Sequence, residues 1–148
     1  MISREVDLTI RRFDESDRAE VIALWNACGL VYPQNDPNKD IDRKLGAGAE
    51  LFLVAVDKSN TPVASAMGGY DGHRGWVNYL AVSPLFRGRG VGSKIMAALE
   101  AQLRDLGCAK INLQIRSSNA SVIDFYEQLG YTVDDVICMG KRLEQDDD

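Results

Sequence analysis

The stretch Arg87-Gly88-Arg89-Gly90-Val91-Gly92-Ser93 puts three glycines at alternate positions, interleaved with two arginines and ahead of a long apolar helical pattern. Glycine lets a backbone approach an anion with no Cβ in the way. The first turn of a helix presents N–H groups without partners inside the helix, and the helix dipole adds positive potential there. Arg87, Arg89 and Ser93 add side-chain donors. This combination suits a pyrophosphate. A helix entry that merely tolerates glycine is the plainer alternative. Spacing excludes two other glycine-loop chemistries. The dinucleotide pattern G-x-G-x-x-G fails at Ser93 when counted from Gly88 and at Ile95 when counted from Gly90. The ATP loop needs Gly-Lys-[Ser/Thr], and the chain's Gly140-Lys141 pair is followed by Arg142.

The elements that must position this turn follow from periodicity. Residues 7–13 alternate like a half-buried strand. In the following helix Val21, Leu24, Trp25 and Cys28 share one face, with capping groups at 14–17 and a stop at Gly29. Residues 30–40 are an irregular loop with two prolines, and a short helix spans roughly 38–46. LFLVAV (51–56) is an apolar strand buried on both faces. Strands are predicted at 62–70 and 76–82, then a helix to about Leu106 with one apolar face. Residues 110–116 alternate as a strand, 118–130 form a capped helix, and 131–143 read as one or two final strands. The acidic end, 144–148, is expected to fray. Three consecutive strands imply an antiparallel meander, and the step from 76 to 116 implies one parallel crossover. The fold class is therefore α/β (α+β): a mixed, mostly antiparallel sheet of six to seven strands with helices on both faces. No linker or repeat divides the chain, so 1–148 reads as a single domain.

At this point the chain resembles a known family. Residues 80–96, LAVSPLFRGRGVGSKIM, are similar to the coenzyme-A-binding segment of the GNAT superfamily of N-acetyltransferases. The family pattern Q/R-x-x-G-x-G/A falls on Arg87, Gly88, Arg89, Gly90, Val91 and Gly92, and its Leu-x-Val strand on Leu80, Ala81 and Val82. A second match covers 118–131, with Asn119, Phe125, Tyr126, Gly130 and Tyr131 at the family's spacing. The element order also agrees over nearly the whole chain. Residues 24–44 with 67–75 resemble the small bacterial YpeA-type branch of that superfamily.

The resemblance implies an acetyl-CoA-dependent enzyme that acetylates a primary amine, on a protein or a small molecule, by direct attack in a ternary complex. It places the backbone of Leu80, Ala81 and Val82 along the pantetheine arm, with an N–H near Val82 polarising the thioester carbonyl. Residues 87–93 then hold the pyrophosphate. Asn119 contacts the cosubstrate or simply caps its helix. Tyr126 becomes the general acid for the departing thiolate, where spacing by itself would make it a core aromatic. Gln114 stands where the ribosomal-protein acetyltransferases of this family carry a glutamate base, and it cannot take a proton at neutral pH. Asp71, His73, Tyr79 and relayed water are the remaining base candidates. The loop carrying Tyr32, Asn35, Asp36 and Asp40 falls on the family's acceptor side. Its acidic groups would favour a cationic amine, unless they serve as turn and capping residues. A coenzyme-A-binding module without catalysis is the alternative function. A nucleotide binder would leave the two paired motifs as coincidences.

Composition narrows the partners. With 45% apolar and 26% charged residues the chain is globular. A net charge of −5 argues against a general nucleic-acid binder. Cys28, Cys108 and Cys138 form no CxxC pair and His73 is the lone histidine, so no metal is expected. Reduced thiols, a charged N-terminus and the lack of an apolar run of about 18 residues point to a cytoplasmic protein without a membrane segment. A homodimer stays open, with no decisive patch in the sequence.

Overall fold

The computed structural model describes residues 7–146. In chain order they form β1 (Thr9–Arg12), α1 (Arg18–Ala27), α2 (Pro37–Leu45), β2 (Phe52–Val56), β3 (Pro62–Tyr70), β4 (Gly75–Val82), α3 (Val91–Asp105), β5 (Ile111–Leu113) and α4 (Ala120–Gln128). The five strands lie in one sheet in the order β1-β2-β3-β4-β5. β1 to β4 pair antiparallel, while β5 joins β4 in parallel after the α3 crossover. Among the described residues, no helix is long and apolar enough to cross a membrane.

β2 shows how the layers are set. Every one of its residues is buried. Leu53 and Ala55 pack with Ile95, Leu99 and Leu103 of α3, while Phe52, Val54 and Val56 pack with Val21 and Trp25 of α1 and Ile41 of α2. The period of two along a strand thus feeds two cores at once. α1 begins after a turn in which Asp14 accepts from the Ser16 N–H and Asp17 accepts from the Asp14 N–H, closing a capping box. α2 carries Pro37 in its first turn and Asp36 as its cap, accepting from the Asn38 N–H at 2.9 Å.

Two expectations are corrected. Residues 131–143 form no strand, so the sheet has five strands among the described residues and not six or seven. β5 is short and its outer edge has no paired strand. The following segment is tied by polar contacts instead. Asp134 accepts from Lys110 and Asn112, Arg142 donates to Asn35, and Asp146 binds Arg43. The second correction concerns the acidic end. Asp146 is not frayed: its side chain is 1% exposed and sits 2.7 Å from the Arg43 guanidinium. It also accepts from the Asp36 N–H. Residues 147–148, also expected to fray, lie outside the described residues.

Candidate active site

The site begins with a fault in β4. Its pairing with β5 runs from Gly75 to Val77, opposite Ile111 to Leu113, and stops there. On the other side, β3 pairs Met67 with Asn78 but Ser65 with Ala81, so Tyr79 and Leu80 together face Ala66. This is a β-bulge. It reverses the phase of the strand: Val77 packs on the α3 side, and beyond the bulge Leu80 and Val82 do so while Ala81 takes the opposite core. Tyr79 has φ +51°, a left-handed conformation that an aromatic residue adopts only when held. Its ring stacks on Trp25 at 3.8 Å. Its carbonyl accepts from Ser65 Oγ, which in turn accepts from Trp25 Nε1 at 2.9 Å. Its hydroxyl donates to Asp40.

The consequence is an open edge along the second half of β4. Ser83 donates its N–H to Val63 across the β3 side. Strand alternation therefore turns the Val82 N–H and carbonyl toward the open side. That carbonyl accepts from Arg87 Nε and Cys28 Sγ, each at 3.3 Å. A cleft of about 710 Å³ follows the gap, lined on its walls by Leu80 of β4, Ile115 beyond β5, Tyr79, Asn119 and Tyr126.

The glycine turn stands at the end of this edge. Gly88 and Gly90 have φ near +77°, which favours glycine strongly. Gly90 caps α3 without a side-chain acceptor, so the N–H groups of Val91, Gly92 and Ser93 open the helix with no intrahelical partner. At Gly92 the reason for glycine is packing: a Cβ would stand 3.0 Å from the Phe125 ring of α4. The two arginines fold back along the turn. Arg87 bonds Val82 and Cys28, and Arg89 lies 5.6 Å over the Phe86 ring. Among the described residues neither has a carboxylate within 4.0 Å, so both charges are left for an anion.

α4 brings Tyr126 and Asn119 to the cleft. Tyr126 is buried, edge-on to Phe125 and Tyr131. Its hydroxyl bonds no described residue, yet no fully buried side-chain oxygen is left unpaired. The hydroxyl therefore reaches cavity space, and Tyr126 lines both the 710 Å³ cleft and a second cavity of about 820 Å³ between β5 and residues 131–138. Burial pushes its phenol above the ordinary range, which keeps the proton on it at neutral pH. Asn119 occupies the cap position of α4 but its side chain makes no capping bond; it only accepts from Ser121 Oγ at 3.3 Å.

The base candidates separate. Asp71 accepts from the N–H groups of His73 and Arg74 and from Trp76 Nε1, which hold its carboxylate below its usual range and make it a turn residue. Neither it nor His73 lines the cleft. Tyr79 does line it, but burial and the Asp40 carboxylate push its phenol up, so it keeps its proton. Gln114 is exposed and donates to Cys138. The acidic loop expected to face the acceptor is likewise committed: Asp36 caps α2, and both oxygens of Asp40 are taken, by Tyr79 and by Arg43 at 3.2 Å. Sequence reasoning missed three participants: Ser65, Trp25 as its partner, and Cys28 against the open edge. A buried serine within an apolar strand was the one available signal.

The model of the acetyltransferase (GNAT) family matches residues 15–131. An acetyltransferase of Yersinia enterocolitica is 51% identical, covering 92% of this chain and 96% of that protein. An acetyltransferase of Sodalis glossinidius is 49% identical over 94% of this chain and 98% of its own. Among solved structures, Ard1 from Thermoplasma volcanium superposes with a TM-score of 0.79 at 25% identity, covering 87% of this chain and 85% of that one. The aminoglycoside acetyltransferase AAC(6')-Iy, solved with a coenzyme A bisubstrate analogue, gives a TM-score of 0.74 at 19% identity over 91% and 98%. The family match over most of the chain and the half-identical relatives lead to one conclusion: this chain belongs to the acetyltransferase (GNAT) family.

Proposed function

We propose that the chain transfers an acetyl group from acetyl-CoA to a primary amine by direct attack within a ternary complex. The observation that carries this reading is the parting of β4 from β5 beyond Val77 and Leu113, next to the glycine turn. An unpaired strand edge can accept an extended amide chain as if it were another strand. The residues present fit acetyl-CoA: backbone of Leu80, Ala81 and Val82 along the arm, and the 87–93 turn with its two uncompensated arginines at the pyrophosphate. Asn119, with its amide uncommitted to the helix cap, adds a polar contact.

Acetyl-CoA supplies an activated thioester. The chain's own groups do the rest. The outward Val82 N–H donates to the carbonyl oxygen, where negative charge grows during attack. Tyr126 holds a proton that it gives to the departing sulfur. No side chain in the cleft serves as a strong base, so the amine's proton leaves through the open cleft to water. Neither motif contains a cysteine, and Cys28, beside the open edge, gives its thiol proton to the Val82 carbonyl, which supports direct attack over an acetyl-cysteine intermediate.

Calorimetric titration with acetyl-CoA, with ATP and NAD as controls, followed by a screen of amines for coenzyme A release, tests the reading. Saturable binding of acetyl-CoA alone and release with at least one amine are expected. Competition by ATP or NAD at similar concentration overturns the cosubstrate assignment. Gln114 in the family's base position favours a second reading, a binding module that senses acetyl-CoA. That reading predicts binding with no turnover on any amine.

A further inference from the structure

The acceptor side of the cleft carries charge of the opposite sign to the chain as a whole. Lys44, from the last turn of α2, and Arg116, just beyond β5, both line it. Among the described residues, neither has a carboxylate within 4.0 Å. Lys44 is half-buried, and desolvation outweighs the pull of Glu50 and lowers its pKa. Its Nζ gives one of three donors to the Ala47 carbonyl, at 3.1 Å. Arg116 lies 4.3 Å over the Tyr32 ring and gives one N–H to the Tyr32 hydroxyl. The remaining guanidinium donors are uncommitted. The cleft's own carboxylate, Asp40, has both oxygens occupied, and its partner Arg43 is shared with Asp146 and, at 3.7 Å, Glu144. What remains to meet a substrate is two cations and no free carboxylate, in a chain of net charge −5.

A half-buried ammonium whose desolvation outweighs the pull of its neighbouring carboxylate, Glu50, is costly to keep. A stacked guanidinium is preorganised for planar anions such as carboxylate or phosphate. We infer that the acceptor is an amine that also carries an anionic group, a carboxylate or a phosphate, which Lys44 and Arg116 receive while the amine points toward Tyr126. This deepens the acetyl-transfer reading and rests on it. Amines with several positive charges are repelled by the same pair, so polyamines are poor acceptors.

The test offers matched amines with and without the anion: ethanolamine against phosphoethanolamine, and 4-aminobutanamide against 4-aminobutanoate, with spermidine as the polycation. The anionic member of at least one pair should show a roughly 10- to 100-fold higher kcat/KM, the worth of one charge-assisted contact. Which pair responds separates phosphate from carboxylate. The ratio should fall toward 1 in Lys44→Gln and Arg116→Gln, each verified as folded by acetyl-CoA binding. Equal or better use of both neutral members or of spermidine overturns the inference. So does a ratio that survives both substitutions. If acetyl-CoA binds and no amine turns over, the transfer reading fails separately, and the anion site is read from titration of inorganic phosphate into the acetyl-CoA-loaded protein. Saturable phosphate binding that Lys44→Gln or Arg116→Gln removes supports the site, and its absence overturns it.

Discussion

Tyr126→Phe separates a catalytic tyrosine from a core aromatic, because the structure divides the two roles cleanly. The ring belongs to the core: it meets Phe125 at 5.1 Å and Tyr131 at 5.5 Å, both edge-on. Phenylalanine keeps both contacts. The hydroxyl belongs to the cavity: it has no protein partner among the described residues, so removing it breaks no hydrogen bond and strands no buried group. The folding free energy should therefore change by less than about 1 kcal/mol, and the melting temperature by no more than about 4 °C. Catalysis should change far more. A general acid contributes roughly 10²- to 10⁴-fold, which is about 3–5 kcal/mol of barrier. Burial keeps the phenol protonated across the neutral range, so the acid is in its working form there.

The assay follows coenzyme A thiol release at saturating acetyl-CoA and amine, beside calorimetric binding and thermal unfolding. The expected result is kcat reduced at least 100-fold, with the acetyl-CoA Kd and the melting temperature nearly unchanged. A kcat within about threefold of native, in a protein that still binds and folds, refutes the acid role. It would leave Tyr126 as the core residue that its helical spacing suggests. A loss of folding instead would refute the division of ring from hydroxyl.

Three further perturbations test the frame around the site. In Gly68→Ala the new Cβ would collide with Leu99 Cδ1, in the middle of the β3–α3 core; overpacking should cost about 2 kcal/mol and lower the melting temperature by about 4–8 °C. Gly90→Ala meets no neighbour but must hold φ +76°; a strain of about 1–2 kcal/mol leaves it folded, and calorimetry should show acetyl-CoA binding weakened by more than that loss of stability accounts for. Asp146 is held down to about 2 by Arg43 and the Asp36 N–H. A depressed carboxylate stabilises above its unfolded value and loses that contribution as pH falls through the folded one. Urea unfolding of native protein and Asp146→Asn should thus differ most above pH 4, narrow as pH falls through 2 and converge only below it; a gap undiminished at about pH 1 refutes the ion pair as its source.

What could be read in the sequence was local. The glycine turn needs only its own residues: Gly88 and Gly90 take left-handed φ, and the apolar spacing of α3 follows within one helix. β2 and β3 are found close to where their composition puts them, because a doubly buried strand carries its signal in every residue. β5 is shorter than its alternation suggests, since its extent depends on how far β4 stays beside it. The bulge in β4 was not legible at all. WVNYLAV alternates well enough to read as an unbroken strand, and only the offset of β3 places two residues opposite Ala66. The hydrogen bonds that hold Tyr79 in place cross the chain, joining Trp25 to Ser65 over 40 positions and Tyr79 to Asp40 over 39. The place of Asp146 was hidden for the same reason: Arg43 and Asp146 are 103 positions apart, and a run of acids looks solvated until its partner is known. Asp40 is the most instructive reversal. Counted as a residue type it made the acceptor side acidic, but its two oxygens are bound by Tyr79 and Arg43. The charge a substrate meets is set by which groups remain unpaired after folding, and here those are Lys44 and Arg116.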